Sequence, residues 1–329
     1  MKKFTDIKQF RDVIREIKFN HDYKGNDENG DAIYLHDSPY PTLNFRGTIK
    51  LHGTNSAIIK YKNNENYIFQ SRERELELTK DNASFMLNMM NKNLDKLFEN
   101  IQCNDYVAIY GEWIGQGIQK TVAISELEKS FVVFAIKIDD VYQDLKNYIH
   151  IKNESERIYN ILDFKTFNID IDFNIPELSI NTLRDWTIEV ETECPVAKHF
   201  GISGIGEGIV FESFYDNKRY IFKSKGEKHQ NSKVKTLNTV DTELINNINE
   251  FVEYACTENR LKQGIDKMIE LNIPITHEST GKYLQWVVGD IIKEEQDTII
   301  KNQIEIKKIG GAINNKARIY WFNYLNKQI

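Results

Sequence analysis

The spacing of the apolar residues changes once along this chain, and that change most restricts its fold. Up to about residue 235 they alternate with polar residues or gather in short runs, and beyond about residue 236 they recur every three or four positions. Alternation marks a strand with one buried face, whereas the longer spacing marks a helix with one buried stripe. Residues 43–50, 55–62 and 66–72 read as strands, the last two joined at Asn63-Asn64-Glu65. Ile58, Ile59, Tyr61, Tyr67, Ile68 and Phe69 supply side chains suited to a pleated surface. Residues 106–113 and 130–138 read as buried strands, and 208–214 with 218–225 as a hairpin turning at Tyr215-Asp216-Asn217. A helix is expected over about 82–98, with Phe85, Met86, Met89, Met90, Leu94 and Leu97 packing inward. A shorter one is expected near 7–19, in a segment, 1–40, that otherwise reads as polar and irregular. Residues 140–200 are mixed and restrict little.

Three helical stripes follow. The first is Leu244, Ile245, Ile248, Phe251, Val252 and Ala255, with Thr239 or Asp241 as N-cap. The second is Leu261, Ile265, Met268 and Ile269. Tyr283, Leu284, Val287, Val288, Ile291 and Ile292 form the third, in a helix expected to reach about residue 303. Lys307, Lys308, Lys316 and Arg318 around Gly310-Gly311 read as a solvated loop. Two domains are therefore expected, 1–235 and 240–329.

Composition narrows the class. Aromatic residues at 12% exclude wholesale disorder. Cys103, Cys194 and Cys256 lie far apart with no paired spacing, against a disulfide scaffold or a cysteine zinc site, and the seven histidines show no metal-ligand spacing. No leader-like or membrane-length apolar run is visible, so an intracellular protein without a membrane partner is expected.

The chemistry concentrates at Lys50-Leu51-His52-Gly53-Thr54-Asn55. A lysine ending a strand is a candidate nucleophile if burial or nearby cations disfavour its ammonium form. Glycine admits close approach of a ligand, and Thr and Asn can hydrogen-bond phosphate or ribose. Alone, the fragment could be a solvated lysine before a turn. Its company, in order, is Arg72; Glu112 in Gly111-Glu112-Trp113-Ile114-Gly115-Gln116-Gly117-Ile118-Gln119-Lys120; Phe134 in a buried strand; Glu207 before the hairpin; and Lys223 and Lys225, which alternate on its second strand. No P-loop string exists, and the glycine-rich 201–208 segment precedes a hairpin rather than a helix, against a dinucleotide fold.

This series resembles the collinear motifs of the covalent nucleotidyltransferases, and within them the RNA ligase 2-like family of ATP-dependent double-strand RNA ligases. The resemblance covers about residues 40–235 and, by position and class, the helical tail. It implies an α+β fold: an ATP-grasp-like nucleotidyltransferase domain of antiparallel sheets flanked by helices, then a small all-α domain. It further implies an enzyme that joins 3′-OH and 5′-phosphate RNA ends, at nicks in duplex RNA, as a monomer using ATP and Mg²⁺, with Mn²⁺ as a substitute. Lys50 would carry AMP, and Lys223 and Lys225 would clamp the α-phosphate. Glu207 would bind the metal, Glu112 the ribose, and Phe134 would stack on the base. Arg72 would handle phosphate, while His52 and Asn55 would line the nucleotide or the nick. Ile49 would also belong to the nucleotide-binding set, although it stands where family members often carry an acidic residue that bears on base recognition, and Ala135 follows Phe134 where they often carry another. A GTP-dependent capping guanylyltransferase and a catalytically inactive RNA-binding module remain alternatives.

Net charge is −6, which by itself discourages a nucleic-acid partner. Yet Lys218, Arg219, Lys223, Lys225, Lys228, Lys233 and Lys235 face a single acid, Glu227, within 218–235. Phosphate affinity follows the charges that touch the backbone, so salt-sensitive binding on one face is expected.

Overall fold

The computed structural model describes residues 1–226, 248–302 and 304–327, which fall into two units, Met1–Gly226 and Glu227–Ile329. The first contains α1 (Phe10–Asp22), β1 (Tyr23–Asn26), β2 (Ala32–Tyr34), β3 (Thr42–Lys50), β4 (Thr54–Tyr61), β5 (Tyr67–Ser71), α2 (Phe85–Met90), α3 (Asp95–Phe98) and β6 (Tyr106–Ile114). It continues with β7 (Ser130–Ile138), β8 (Val141–Gln143), β9 (Ile158–Asn160), β10 (Thr166–Asp172), α4 (Ile180–Thr192), α5 (Pro195–His199), β11 (Gly208–Tyr215) and β12 (Lys218–Lys225).

Two sheets carry this unit. One runs β10-β3-β11-β12, antiparallel throughout; the other runs β5-β4-β6-β7-β8, with β9 lying parallel to β7. Asp216 and Asn217 both take positive φ in the β11–β12 turn, the geometry that matches the twist of a tight hairpin. Along β3 the residues alternate, with Leu43, Phe45, Gly47 and Ile49 buried and Arg46, Thr48 and Lys50 on the other face. Residues of both sheets meet in one apolar cluster: Ala57, Ile59, Tyr106, Ala108, Tyr110 and Ala135 from one, Ile221 from the other, and Phe4 from the amino-terminal segment.

The 140–200 region resolves into real elements. β10 forms the edge of the β3 sheet, and α4 buries Leu183, Thr187 and Val190. Residues 1–40 are less irregular than their composition suggests, since they hold α1 and the β1–β2 hairpin. The helix expected over 82–98 is two short ones. Asn91 ends α2, its Nδ2 donating to the Leu87 carbonyl, which reflects the preference of asparagine for helix ends. Met89 is buried, but Met90 is exposed.

The second unit is helical: α6 (Ile248–Ala255), α7 (Glu258–Glu270), α8 (Thr280–Glu294), α9 (Gln296–Lys301) and α10 (Ile306–Asn326). The long helix expected to reach 303 breaks after Glu294, and the Glu295 carboxylate turns inward to Arg260 and Tyr254. The solvated loop expected around Gly310-Gly311 is instead a 21-residue helix. Ile309, Ile313, Ala317, Trp321 and Leu325 recur every four residues and are all buried. That stripe outweighs roughly 1 kcal/mol lost at each helical glycine. Lys316 pairs with Glu253 at 2.7 Å. The expected caps Thr239 and Asp241, the stripe residues Leu244 and Ile245, the basic residues Lys228, Lys233 and Lys235, and the Lys308 side chain lie outside the described set. Among the described residues, no helix is long and apolar enough to cross a membrane.

Candidate functional site

Strand register brings three separated positions into one row. Gly208 on β11 pairs with Lys50 on β3 and with Lys225 on β12. Directly opposed residues project on the same face, so the two lysine side chains stand on one face across Gly208, and the residue just before it reaches both. That residue is Glu207, only 2% exposed. Its Oε2 accepts from Lys50 Nζ at 2.7 Å, and its Oε1 lies 3.0 Å from Lys225 Nζ. His52 Nδ1 is 3.4 Å from Oε2. Burial by itself would lift the Glu207 carboxyl, but Lys225, Lys50 and His52 outweigh it and hold the group well below the usual carboxylate range. Gly208 itself has φ +149, and a Cβ there would lie 2.1 Å from the Ser224 carbonyl oxygen. The row can therefore close only around glycine.

The next residues carry the chain from one sheet to the other. β3 ends at Lys50 and β4 begins at Thr54, so Leu51-His52-Gly53 is the crossing. Its glycine is required by contact: a Cβ on Gly53 would stand 2.2 Å from the Trp113 carbonyl oxygen. The Gly53 N–H donates to Glu112 Oε1 at 3.0 Å, and Glu112 is the cross-strand partner of Asn55. Asn82 Nδ2 donates to Thr54 Oγ1 at 2.8 Å. Lys50, His52, Gly53, Asn55, Glu112, Glu207 and Lys225 thus form one connected set.

The other sequence-selected residues stand differently. Lys223 lies one row away, opposite Val210, which pairs with Thr48. Phe134 is the extra residue of a β-bulge, because Tyr110 pairs with Ala135 while Gly111 pairs with Val133. Such bulges re-aim a side chain. Here the Phe134 ring meets Phe4 edge-on, with centroids 5.1 Å apart. Arg72 is ion-paired with Asp6 and, at 3.9 Å, Glu73. Ile49, expected among the nucleotide-binding residues, turns its side chain away from Lys50. It is 3% exposed and faces the core side of β3, opposite to Lys50.

Sequence reading overlooked the first nine residues. Lys8 donates its N–H to the Ile221 carbonyl and accepts from the Lys223 N–H, adding a short parallel bridge to β12. Phe4 packs among Phe134, Tyr110 and Tyr142, and the Arg219 guanidinium lies 4.3 Å from the Tyr142 ring centroid. One phenylalanine in a charged run gave no periodic signal.

A family model described as RNA ligase matches residues 44–225, more than half of the chain. The chain belongs to the RNA ligase family. The matched span opens in β3 and closes at Lys225, so it encloses every sequence-selected site residue, whereas Phe4, α1 and the helical unit lie outside it. Solved structures similar to this RNA ligase family member include Naegleria gruberi RNA ligase with PPi. That likeness has 20% identity and a TM-score of 0.43 over 69% of this chain and 56% of that one. A point mutant of that ligase with ATP and Mn gives 19% identity and a TM-score of 0.44 over 68% and 56%. The chain thus covers little more than half the length of that ligase. No curated protein matches it.

For an RNA ligase family member the charge pattern around Glu207 has a chemical reading. A single buried carboxylate gathers two lysine ammonium groups and a histidine ring, so cationic side chains converge on one point. Such convergence suits a phosphate-rich ligand, since phosphoryl transfer depends on positioning and charge neutralisation.

Proposed function

We propose that the protein is an ATP-dependent RNA ligase that seals 3′-OH and 5′-phosphate ends, at nicks in duplex RNA, through AMP carried on Lys50. One observation carries the reading: Lys50 Nζ sits beside Lys225, held by the buried carboxylate of Glu207, in a family whose model spans all three.

The first step begins when the Lys50 ammonium leaves Glu207 and gives up a proton to solvent water, which takes a second proton as the phosphoramidate forms. Its nitrogen attacks the α-phosphorus of ATP, an N–P bond forms, the bond to the bridging oxygen breaks, and pyrophosphate departs. Lys225 and Lys223 offer positive charge to the phosphoryl oxygens. Glu112, already oriented by the Gly53 N–H, is set to receive ribose hydroxyls, and Phe134 presents a ring for the base. A 5′-phosphate oxygen of RNA then takes the AMP and frees Lys50. The 3′-OH displaces AMP to close the phosphodiester.

The donor set also fits a divalent cation. The Lys50 ammonium itself stands on Glu207 Oε2 as a cation. Once its nitrogen is bonded to phosphorus that charge is gone, and the oxygen suits a hard ion. Glu207 would hold Mg²⁺ or Mn²⁺, which neutralises charge on phosphoryl oxygens when bound.

The test is incubation with ATP labelled on the α-phosphate. Wild-type protein should retain covalent label, and Lys50→Ala should fall to background. An unlabelled wild type, or a labelled Lys50→Ala, would overturn the reading. Label from GTP alone would point to a capping guanylyltransferase, and binding of nicked RNA without label to an inactive module.

A further inference from the structure

Outside the span shared with the family, the end of α1 carries a second cluster of side chains. His21 Nδ1 and His36 Nδ1 each lie 3.1 Å from the same oxygen, Asp22 Oδ1. One ligand atom from each residue falls within 4.8 Å of the other two. Ligands bound to zinc at about 2.0–2.1 Å in tetrahedral geometry stand about 3.3 Å apart. Two of the three separations are already close to that value, and a small ring movement would admit an ion.

The surroundings look built to orient these three groups. Tyr40 donates its hydroxyl to Asp22 Oδ2 at 2.9 Å, which leaves Oδ1 turned to the histidines. Ser38 Oγ is 3.3 Å from His21 Nε2, occupying the ring nitrogen that would not bind the ion. Metal-binding histidines and carboxylates characteristically have such outer partners. The Leu35 N–H donates to the Asp22 carbonyl at 2.8 Å, holding His36 against Asp22 at the base of the β1–β2 hairpin. His21 and Asp22 are 16% and 21% exposed and His36 is 51% exposed, so the group is anchored on one side and open to water on the other.

We infer that His21, Asp22 and His36 form a site for a zinc-class divalent ion, with a solvent-filled fourth position, that clamps the base of the β1–β2 hairpin. Two imidazoles and one carboxylate favour such an ion over Mg²⁺, which prefers oxygen ligands throughout. The site differs in donor chemistry from the carboxylate at Glu207. It does not depend on the ligase reading.

The test uses the full chain without a histidine tag, stripped with a chelator and titrated with Zn²⁺ by calorimetry. Co²⁺ serves as a spectroscopic probe of imidazole ligation. Wild type should bind one ion per chain and give tetrahedral Co²⁺ bands in the visible. His36→Ala and His21→Ala should each weaken binding by about 100-fold or more and abolish the bands, and Ser38→Ala by about tenfold. His150→Ala should change nothing, and excess Mg²⁺ should not compete. Far-UV circular dichroism of the stripped variants separates a lost ligand from a lost fold, and His36→Gln provides a second, milder replacement. Failure of wild type to bind, or equal binding by wild type and both histidine variants, would overturn the proposal.

Discussion

Each unit of this protein buries a charge, and the two are solved in opposite ways. In the first, the anion Glu207 is surrounded by Lys50, Lys225 and His52. In the second, the cation Arg260, 1% exposed, meets Glu295 at 3.2 Å and Asp290 at 3.1 Å, and also donates to the Ala255 carbonyl at 2.8 Å. Burial and pairing are common to both, so neither separates a working site from a structural one. What differs is one partner, Glu295. Lys50 and Lys225 are 18% and 13% exposed, and Asp290 is 19% exposed, whereas Glu295, where α8 gives way to α9, is only 5% exposed. A buried charge whose partners all reach water is fit for chemistry, whereas one with a partner sealed in the core is fit for holding helices together.

Substitutions can break this contrast or sharpen it. The largest stability effect is expected from Glu295→Ala, which leaves the Arg260 guanidinium short of a carboxylate in the core. A loss of about 3–5 kcal/mol is expected in denaturant melts, with AMP labelling at Lys50 retained while the protein is folded. If labelling collapsed at temperatures where the variant is folded, the Arg260 network would have a role beyond packing. Next comes Glu207→Gln. AMP labelling should slow by about 100-fold, near 2.7 kcal/mol, because the lysines lose the group that positions them.

The same variant tests the acid limb of stability. The folded Glu207 carboxyl lies well below its usual value of 4.5, so its charge contributes stability above that value. That contribution disappears as pH falls through the lowered folded value. The stability gap between wild type and Glu207→Gln should therefore be constant near neutrality and shrink with acid below about pH 4.5. A gap that widened in acid would contradict the ion-pair assignment. The smallest effect belongs to Arg72→Ala. Its partner Asp6 is largely exposed, so stability should change by no more than about 1 kcal/mol. A large drop in RNA sealing without a matching drop in melting temperature would mark Arg72 as a phosphate contact.

Much of the first unit was legible in the sequence because strand alternation and the hairpin turn are short-range properties. The β11–β12 hairpin follows its pattern closely, and so does β3 with Lys50 at its end. The helical unit was legible as helical, though α10 was misread. The two glycines and nearby charges drew attention from the stripe Ile309, Ile313, Ala317, Trp321 and Leu325, which was present to be seen. The split of α2 from α3 was harder, since methionine and leucine spacing runs through the asparagines that end the first helix.

The sequence alone determined the strand and helix periods, the nucleophile candidate and the order of its companions, because each depends on neighbours within a few residues. Tertiary structure alone decided which of them meet. Positions 50, 207 and 225 share one carboxylate because β3, β11 and β12 pair in a single register, and register is set by the burial of whole strand faces. The Ile49 side chain points to the core for the same reason, by the alternation that turns Lys50 to the other face. Phe4 reached Phe134, and His36 reached His21 and Asp22, only because the chain returns on itself. No local pattern encodes such a return, since its stability comes from contacts made after the chain has folded.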